Sequence, residues 1–445
     1  MPRKKKISAR VPQDRRALTK SLQTPKGVHD ILFPESVYFE RLRENAKEWA
    51  EAYGYQLVEL PFFEFQELFK KGIGRGTDVV EKEMYVFKTK GGDELALRPE
   101  ATAGAVRSFI QNGMLNWPQP IRLWYWGPMF RHENPQSGRY RQFWQVGYEY
   151  FNVADPIVDA EMIKMGLDIL RSCGLKGVAV EVNSIGCWSC REDYKKALKA
   201  YYRSKTRKLC PDCKNRFSKN ILRLLDCKNE ICQPYKAETP NILGYLCKDC
   251  HSHFKKVLEY LENLEIDYVL NPFLVRGLDY YSRTVFEFTA ETSGVEGLAA
   301  APLALGGGGR YDYLVKILGG PDVSACGFAL GVERIVELLK TNEKLRPEEK
   351  TDLYLVQIGD AAKVKTLQLA DKLKKSHLRF GFDLGRDSLK AQLRSADRLK
   401  AKFSIIIGEK EVFDENFILR DMESGIQETF PLARAIEVIK QKIQR

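Results

Sequence analysis

Two groups of residues in this 445-residue chain have the types and spacing to do chemistry. The first lies in Arg122 to Tyr150, RLWYWGPMFRHENPQSGRYRQFWQVGYEY, where two aromatic, β-prone runs flank a polar loop holding Asn134, Pro135 and Gly138. Arg131, His132 and Glu133 close one run, and Arg139 and Arg141 open the next. A guanidinium at the end of a rigid strand suits two-pronged capture of a phosphate. Along the second run Phe143 alternates with Gln145, Gly147 and Glu149, which sets a flat apolar face beside a row of polar groups. An amphipathic hairpin with a solvated, charged tip would look the same on arginines and aromatics alone. The second group is Cys187-x2-Cys190, Cys210-x2-Cys213, Cys227-x4-Cys232 and Cys247-x2-Cys250, with His251 and His253 adjacent. In a cytosolic protein this pairing points to tetrahedral zinc rather than disulfides. The eight thiols could furnish two four-cysteine sites or one site with spares, or they could fill the core of a small helical segment.

The elements that must hold these groups follow from hydrophobic period and turn residues. Residues 1–24 carry many positive charges and few large apolar groups, the pattern of a disordered basic tail. A helix over Glu35–Tyr53 ends at Gly54, and a strand over Gln56–Leu60 runs into Pro61. A hairpin joins Tyr85–Thr89 to Glu94–Arg98, and Pro99 then opens a helix in LRPEATAGAVRSFI. Residues 157–173 form a helix and Val178–Asn183 a strand. The cysteine-rich segment, about 187–258, interrupts this α/β pattern. Beyond it come the strand-like LNPFLVRGLDYYSRTVFEF, the glycine run at 306–309, and an amphipathic helix in CGFALGVERIVELL. The glycine run could be a phosphate cradle, although no Gly-Lys-Ser/Thr ends it. A polar linker at 341–350 leads to alternating strands and helices over 351–445, the mark of a small separate α/β domain.

Length allows two or three domains, and a chain 44% hydrophobic and 29% charged folds rather than remaining disordered throughout. No apolar run approaches the ~18–20 residues of a membrane span. The N-terminus lacks the apolar core of a secretory signal, so a cytoplasmic enzyme is expected. The formal charge of +12 is unevenly spread: residues 1–26 hold nine Lys/Arg against one Asp, and residues 187–258 hold seventeen against seven. The rest of the chain is net acidic. Concentrated basicity suits a polyanionic partner, and solubility is the plainer explanation.

FRHEN followed by RQFWQVGYE resembles motif 2 of class II aminoacyl-tRNA synthetases, in the form found in bacterial-type histidyl-tRNA synthetases. RGLDYY, from Arg276 to Tyr281, and LGGGGRYD, residues 305–312, resemble the two histidine-specific motifs of that family. CGFALGVERIVELL resembles motif 3, and the helix, strand and proline ending at Pro61 resemble motif 1, which builds the family's dimer. The resemblance runs from Thr24 to Arg445. It implies an α/β (α+β) protein: an antiparallel-sheet catalytic domain over 25–340, an insertion that grips the tRNA acceptor stem, and a C-terminal α/β anticodon-binding domain over 351–445. Lys390, Arg394, Arg398, Lys400 and Lys402 would give the latter a basic side.

It also implies site residues. Arg131 would hold the ATP α-phosphate, and Glu133 and Phe143 the adenine, with Arg334 against its other face and the terminal phosphate. Arg276 matches the catalytic arginine, working beside Arg131. Glu100, Ala101, Thr102, Gln145, Glu149, Tyr280, Tyr281 and Tyr311 match the histidine pocket, together with Arg131 and Arg276; Arg310 matches a family residue without a firm role. The implied function is histidine–tRNA ligase: L-histidine and ATP, with Mg2+ bridging the other phosphates, condense to histidyl-adenylate, and the histidyl group passes to tRNA-His. Two rivals are a non-catalytic paralogue, the regulatory subunit of ATP phosphoribosyltransferase, and a zinc-dependent RNA-binding module on an inert scaffold. Intact motif arginines and a C-terminal domain oppose both.

Overall fold

The computed structural model describes residues 22–135, 138–291, 302–342, 345, 351–376 and 378–443. Residues 1–21 of the expected basic tail and most of the expected linker lie outside these residues. The chain divides between residues 346 and 347 into two compact units.

The first unit is built on an eight-stranded sheet. After the short β1 (Gln56–Leu57), β2 (Phe63–Phe65), β3 (Val86–Lys88) and β4 (Glu94–Leu97) come the long β5 (Ile121–Phe130) and β6 (Gln142–Phe151). Then follow β7 (Val178–Ser184), β8 (Val269–Leu270), β9 (Ser282–Ala290), β10 (Leu303–Arg310) and β11 (Ala325–Gly331). Their order is β1-β5-β6-β11-β10-β9-β7-β8, while β2, β4 and β3 form a separate small sheet. All neighbours from β5 to β7 are antiparallel, and both edges, β1 on β5 and β8 on β7, are parallel.

Alternation along β6 decides which face does what. Val146, Tyr148 and Tyr150 are buried in an apolar layer with Tyr38, Leu42 and Ala46 of the helix Glu35–Ala52 and Ile163, Leu167 and Leu170 of the helix Ile157–Ser172. Gln145 and Glu149 therefore face the opposite side. The strand expected over Gln56–Leu60 pairs only at Gln56 and Leu57, although Val58 still bonds the Trp124 carbonyl at 2.9 Å.

The glycine run lies within a strand, β10. Side chains at Gly306 and Gly308 would stand 2.3 Å from the Ala329 carbonyl oxygen and 2.0 Å from the Gly327 carbonyl oxygen, so only glycine lets β10 lie this close to β11. Gly306 and Gly307 nonetheless line the cavity on this sheet's open face.

The cysteine-rich insertion leaves the sheet after β7 as the helix Trp188–Arg203 and returns through the helix Lys248–Asn263 to β8. Between them lie the helix Pro211–Lys219, the shorter Gln233–Ala237 and several single turns. The second unit is a five-stranded mixed sheet. β12 (Leu353–Gln357) runs parallel to β13 (Phe380–Phe382) and β14 (Phe403–Ile407), and β15 (Asn416–Asp421) and β16 (Gln427–Pro431) complete it antiparallel. The residues expected to form its basic side, Lys390, Arg394, Arg398, Lys400 and Lys402, are exposed. Among the described residues no helix is long and apolar enough to cross a membrane.

Candidate active site

The open face of the large sheet carries a cavity lined by Glu100, Thr102, Arg131, Glu133, Phe143, Gln145, Arg276, Tyr280, Tyr281, Tyr311 and Arg334. Residues scattered over more than two hundred positions thus meet, because β5, β6, β9, β10 and β11 are neighbours.

At the tip of the β5–β6 hairpin, Arg131 Nε donates to the Pro99 carbonyl at 2.8 Å and its guanidinium carbon stands 5.3 Å from the centre of the Phe143 ring. Glu133 has cations on both sides, Arg131 at 3.9 Å and Arg139 at 3.5 Å. Arg334 enters from the helix Val332–Lys340 and donates to the carbonyls of Gly138 at 3.2 Å and Ala304 at 2.6 Å. Burial, Arg139 and Arg131 together lower its pKa, against Glu133 and Glu287. A region this cationic and partly desolvated suits a polyphosphate.

The other half of the cavity is phenolic and acidic. Glu149, 1% exposed, accepts from Tyr311 at 2.5 Å, Thr102 at 2.7 Å and Tyr125 at 3.4 Å. Burial raises its pKa to about 8, against those hydrogen bonds and with help from Glu100. Glu100 caps the helix Thr102–Gln111, accepting from the amides of Thr102 at 2.7 Å and Ala103 at 3.0 Å, and takes a bond from Tyr280 at 3.4 Å. Its pKa too is raised by burial, with the two amides opposing. Two carboxyl groups ringed by hydroxyls, starved of water and, among the described residues, without an ion pair are matched to a small cationic ligand. Ala101 precedes the helix and, like Glu149, is not part of the cavity wall itself.

Sequence reading missed several wall residues. Tyr125 lies opposite Gly147, and a Cβ at Gly147 would sit 2.2 Å from its ring, so the glycine is the trace of a phenol laid across the strand. Glu287 pairs with Arg276 at 2.5 Å, and Glu333 takes the Trp144 amide at 2.8 and 2.9 Å. Glu287 is a lone acid in an apolar strand, which was the available signal. Arg310, conversely, serves the structure: fully buried, it donates to Asp159 at 2.5 and 2.9 Å and to the carbonyls of Val153 and Asp155.

Residues 27–335 match the family model described as histidyl-tRNA synthetase, and residues 352–442 match that of an anticodon binding domain. The chain belongs to the histidyl-tRNA synthetase family. A histidine–tRNA ligase of Desulfitobacterium hafniense is 44% identical over 420 residues, covering 94% of this chain and 98% of that protein. The crystal structure of apo S. aureus histidyl-tRNA synthetase superposes with a TM-score of 0.76 at 34% identity, over 94% of this chain and 100% of that one. An ATP phosphoribosyltransferase regulatory subunit/histidyl-tRNA synthetase from Bacillus halodurans C shares the fold at 21% identity, TM-score 0.63, covering 87% of this chain and 98% of its own.

In this synthetase the eight insertion cysteines fall into two sets, Cys187, Cys190, Cys247 and Cys250, and Cys210, Cys213, Cys227 and Cys232; within each set the sulfurs lie within 4.8 Å of one another. Four converging thiols are the donor set of a tetrahedral structural zinc.

Proposed function

We infer that this chain is a histidine–tRNA ligase, and that the residues lining the cavity divide its work. The observation that carries the reading is the junction of a cationic half, Arg131, Arg276 and Arg334, with a half lined by Glu100, Tyr280, Tyr281 and Tyr311 and backed by Glu149, which holds the Tyr311 hydroxyl. A nucleotide and a small cationic amino acid can lie end to end across that junction.

In the first step a carboxylate oxygen of histidine attacks the α-phosphorus of ATP. The new P–O bond forms as the bond to the β-phosphate bridging oxygen breaks, and the electron pair leaves with pyrophosphate. Negative charge gathers on the five-coordinate phosphorus, where the fixed guanidinium groups of Arg131 and Arg276 stabilise it. No side-chain nucleophile takes part; positioning and charge carry the rate. Phe143 and Arg334 clamp the adenine between a ring and a guanidinium plane, and Glu133 accepts from its amino group. Glu100, Thr102, Gln145, Glu149, Tyr280, Tyr281 and Tyr311 hold the ammonium and imidazole. In the second step a terminal ribose hydroxyl of tRNA-His attacks the acyl carbon and AMP departs.

Mg2+ arrives with the nucleotide as part of the substrate. The two cysteine sets hold structural zinc. Residues 25–340 form the catalytic domain and 351–445 the anticodon-binding domain, with 1–24 and 187–258 adding basic surface for tRNA. The working form is a homodimer: Leu57, Phe63, Phe65, Val86 and Phe87 around motif 1 are exposed, an apolar surface for a second copy. The enzyme is cytoplasmic, in keeping with ten unpaired cysteines. Charging of tRNA-His with labelled histidine tests the whole reading; a chain that charges no tRNA, or charges it with another amino acid, would refute it.

A further inference from the structure

The loop Arg276–Tyr281, which supplies both a guanidinium and two phenols to the cavity, is held from outside by the insertion. Arg191, 7% exposed, donates through Nη1 to the carbonyls of Tyr281 at 2.9 Å and Asp279 at 3.2 Å. Asn220 donates through Nδ2 to both carboxylate oxygens of Asp279, at 2.8 and 2.9 Å. The Arg283 amide, just past the loop, donates to the Gly186 carbonyl at 2.9 Å. Each of these contacts stands beside a cysteine set. Gly186 and Arg191 flank Cys187 and Cys190, and Asn220 ends the helix Pro211–Lys219, which begins at Cys210 and contains Cys213.

The two sets are topologically different. The first joins the insertion's entry, Cys187 and Cys190, to its exit, Cys247 and Cys250. The second, Cys210, Cys213, Cys227 and Cys232, closes a loop wholly inside it. Sulfur separations of 3.5 Å for Cys187–Cys190 and 3.9 Å for Cys210–Cys227 fit one ion per set. Four bonds of about 2.3 Å directed to the corners of a tetrahedron leave sulfurs about 3.8 Å apart. Backbone amides point at the sulfurs, Cys247 to Cys190 at 3.0 Å and Cys210 to Cys232 at 3.3 Å, and Cys187, Cys210 and Cys247 each open a helix. The second set sits within the insertion's own apolar core, among Tyr202, Leu209, Leu224 and Leu225, so an ion there would pin residues that already pack together.

We propose that the insertion is a two-zinc module, one ion clasping its ends and one building its interior, and that it braces the histidine-recognition loop through Arg191 and Asn220. The identity of the pocket rests on the ligase reading; the metal sites do not. Arg191 and Asn220 are positioning residues and touch no substrate. The brace gives the insertion a role in amino-acid activation, before tRNA arrives.

Elemental analysis of the full chain should find about two zinc ions, one per cysteine set. Cys247→Ser and Cys232→Ser should each lose one. Arg191→Gln, which leaves every sulfur in place, should keep both ions and still raise the KM for histidine about tenfold in ATP–pyrophosphate exchange, with the KM for ATP little changed. Hydrogen–deuterium exchange of the peptide spanning residues 276–283 should speed up in Arg191→Gln and Asn220→Ala, and on stripping zinc from the wild type. Iron in place of zinc, or fewer than two ions, would overturn the metal assignment. Unchanged histidine KM and loop protection in Arg191→Gln would overturn the brace. A wild type without histidine-dependent exchange would overturn the ligase reading instead, and zinc content and loop protection would still decide the brace.

Discussion

Arg276 Nη1 lies 2.5 Å from Glu287 Oε2, joining the RGLDYY loop to the middle of β9 inside the cavity. Burial opposes the charge on this guanidinium, and Glu287 together with the Tyr281 and Tyr280 phenols outweighs it, so its pKa stands above the ordinary arginine value. Room for the pair comes from Gly307, where a Cβ would meet Arg276 Nη1 at 2.9 Å. A cation is thereby held in a desolvated site with one flank on a carboxylate and the other free to face substrate.

Arg276→Ala should lower the rate of adenylate formation by roughly 10²–10³, the usual cost of removing one preorganised electrostatic donor. Histidine affinity should change much less, because the hydroxyls around Glu149 and Glu100 remain. Rapid-quench measurement of the two half-reactions checks this: activation should suffer more than transfer from preformed adenylate. A large rise in histidine KM with unchanged turnover would leave Arg276 a binding residue only.

Glu149 predicts a pH signature. The fold favours its protonated form, so its contribution to stability is complete below the ordinary value of 4.5 and is lost as pH rises toward about 8. Glu149→Gln should therefore show a melting temperature that falls less than that of the wild type over roughly pH 5–8. Glu333 shares the elevated value, about 8, and is common to both proteins, so the difference isolates Glu149. Histidine, arriving as a cation, should drive the proton off. Calorimetric titration in buffers of different ionisation enthalpy should register release of up to roughly one proton near neutral pH, and none attributable to this group in Glu149→Gln.

Arg310 is a structural residue in a motif shared with the site. Replacing it with Met leaves the fully buried Asp159 without its main partner, which should cost about 3–5 kcal/mol. His253, 3.4 Å from Asp159, and Arg283 beyond it are too weakly placed to substitute. Thermal unfolding followed by a probe in the catalytic unit should show the loss; a shift of only a degree or two would mean that solvent reaches Asp159 after all.

Strand pattern and motif strings carried the architecture far. Tyr148 and Glu149 follow directly on one another, and period-two alternation alone sends one to the apolar layer and the other to the site. What did not show was everything that depends on strand order. The glycine run offered a possible phosphate cradle, whereas Gly306 and Gly308 let two strands approach more closely than side chains permit. Glu287 and Tyr125 entered the cavity only once β9 and β5 took their places in the sheet. The cysteine spacing was compatible with a metal but did not give the grouping, because first-with-fourth pairing is a property of the returning helix Lys248–Asn263 and not of spacing.

The basic tail, most of which lies outside the described residues, yields a prediction from charge alone. Deleting residues 1–24 should weaken tRNA binding and flatten its dependence on salt, since fewer phosphate counterions are released, while adenylate formation stays unchanged. Filter-binding affinities across a salt series decide it, and an unaltered slope would remove the tail from the tRNA-binding surface.

The central claim, that one cavity activates histidine with ATP, is tested most directly by exchange of labelled pyrophosphate into ATP without tRNA. Exchange should depend on histidine, be absent with other amino acids, and fall by roughly 10²–10³ in Arg276→Ala. Exchange driven by a different amino acid, or none with histidine present, would contradict the account.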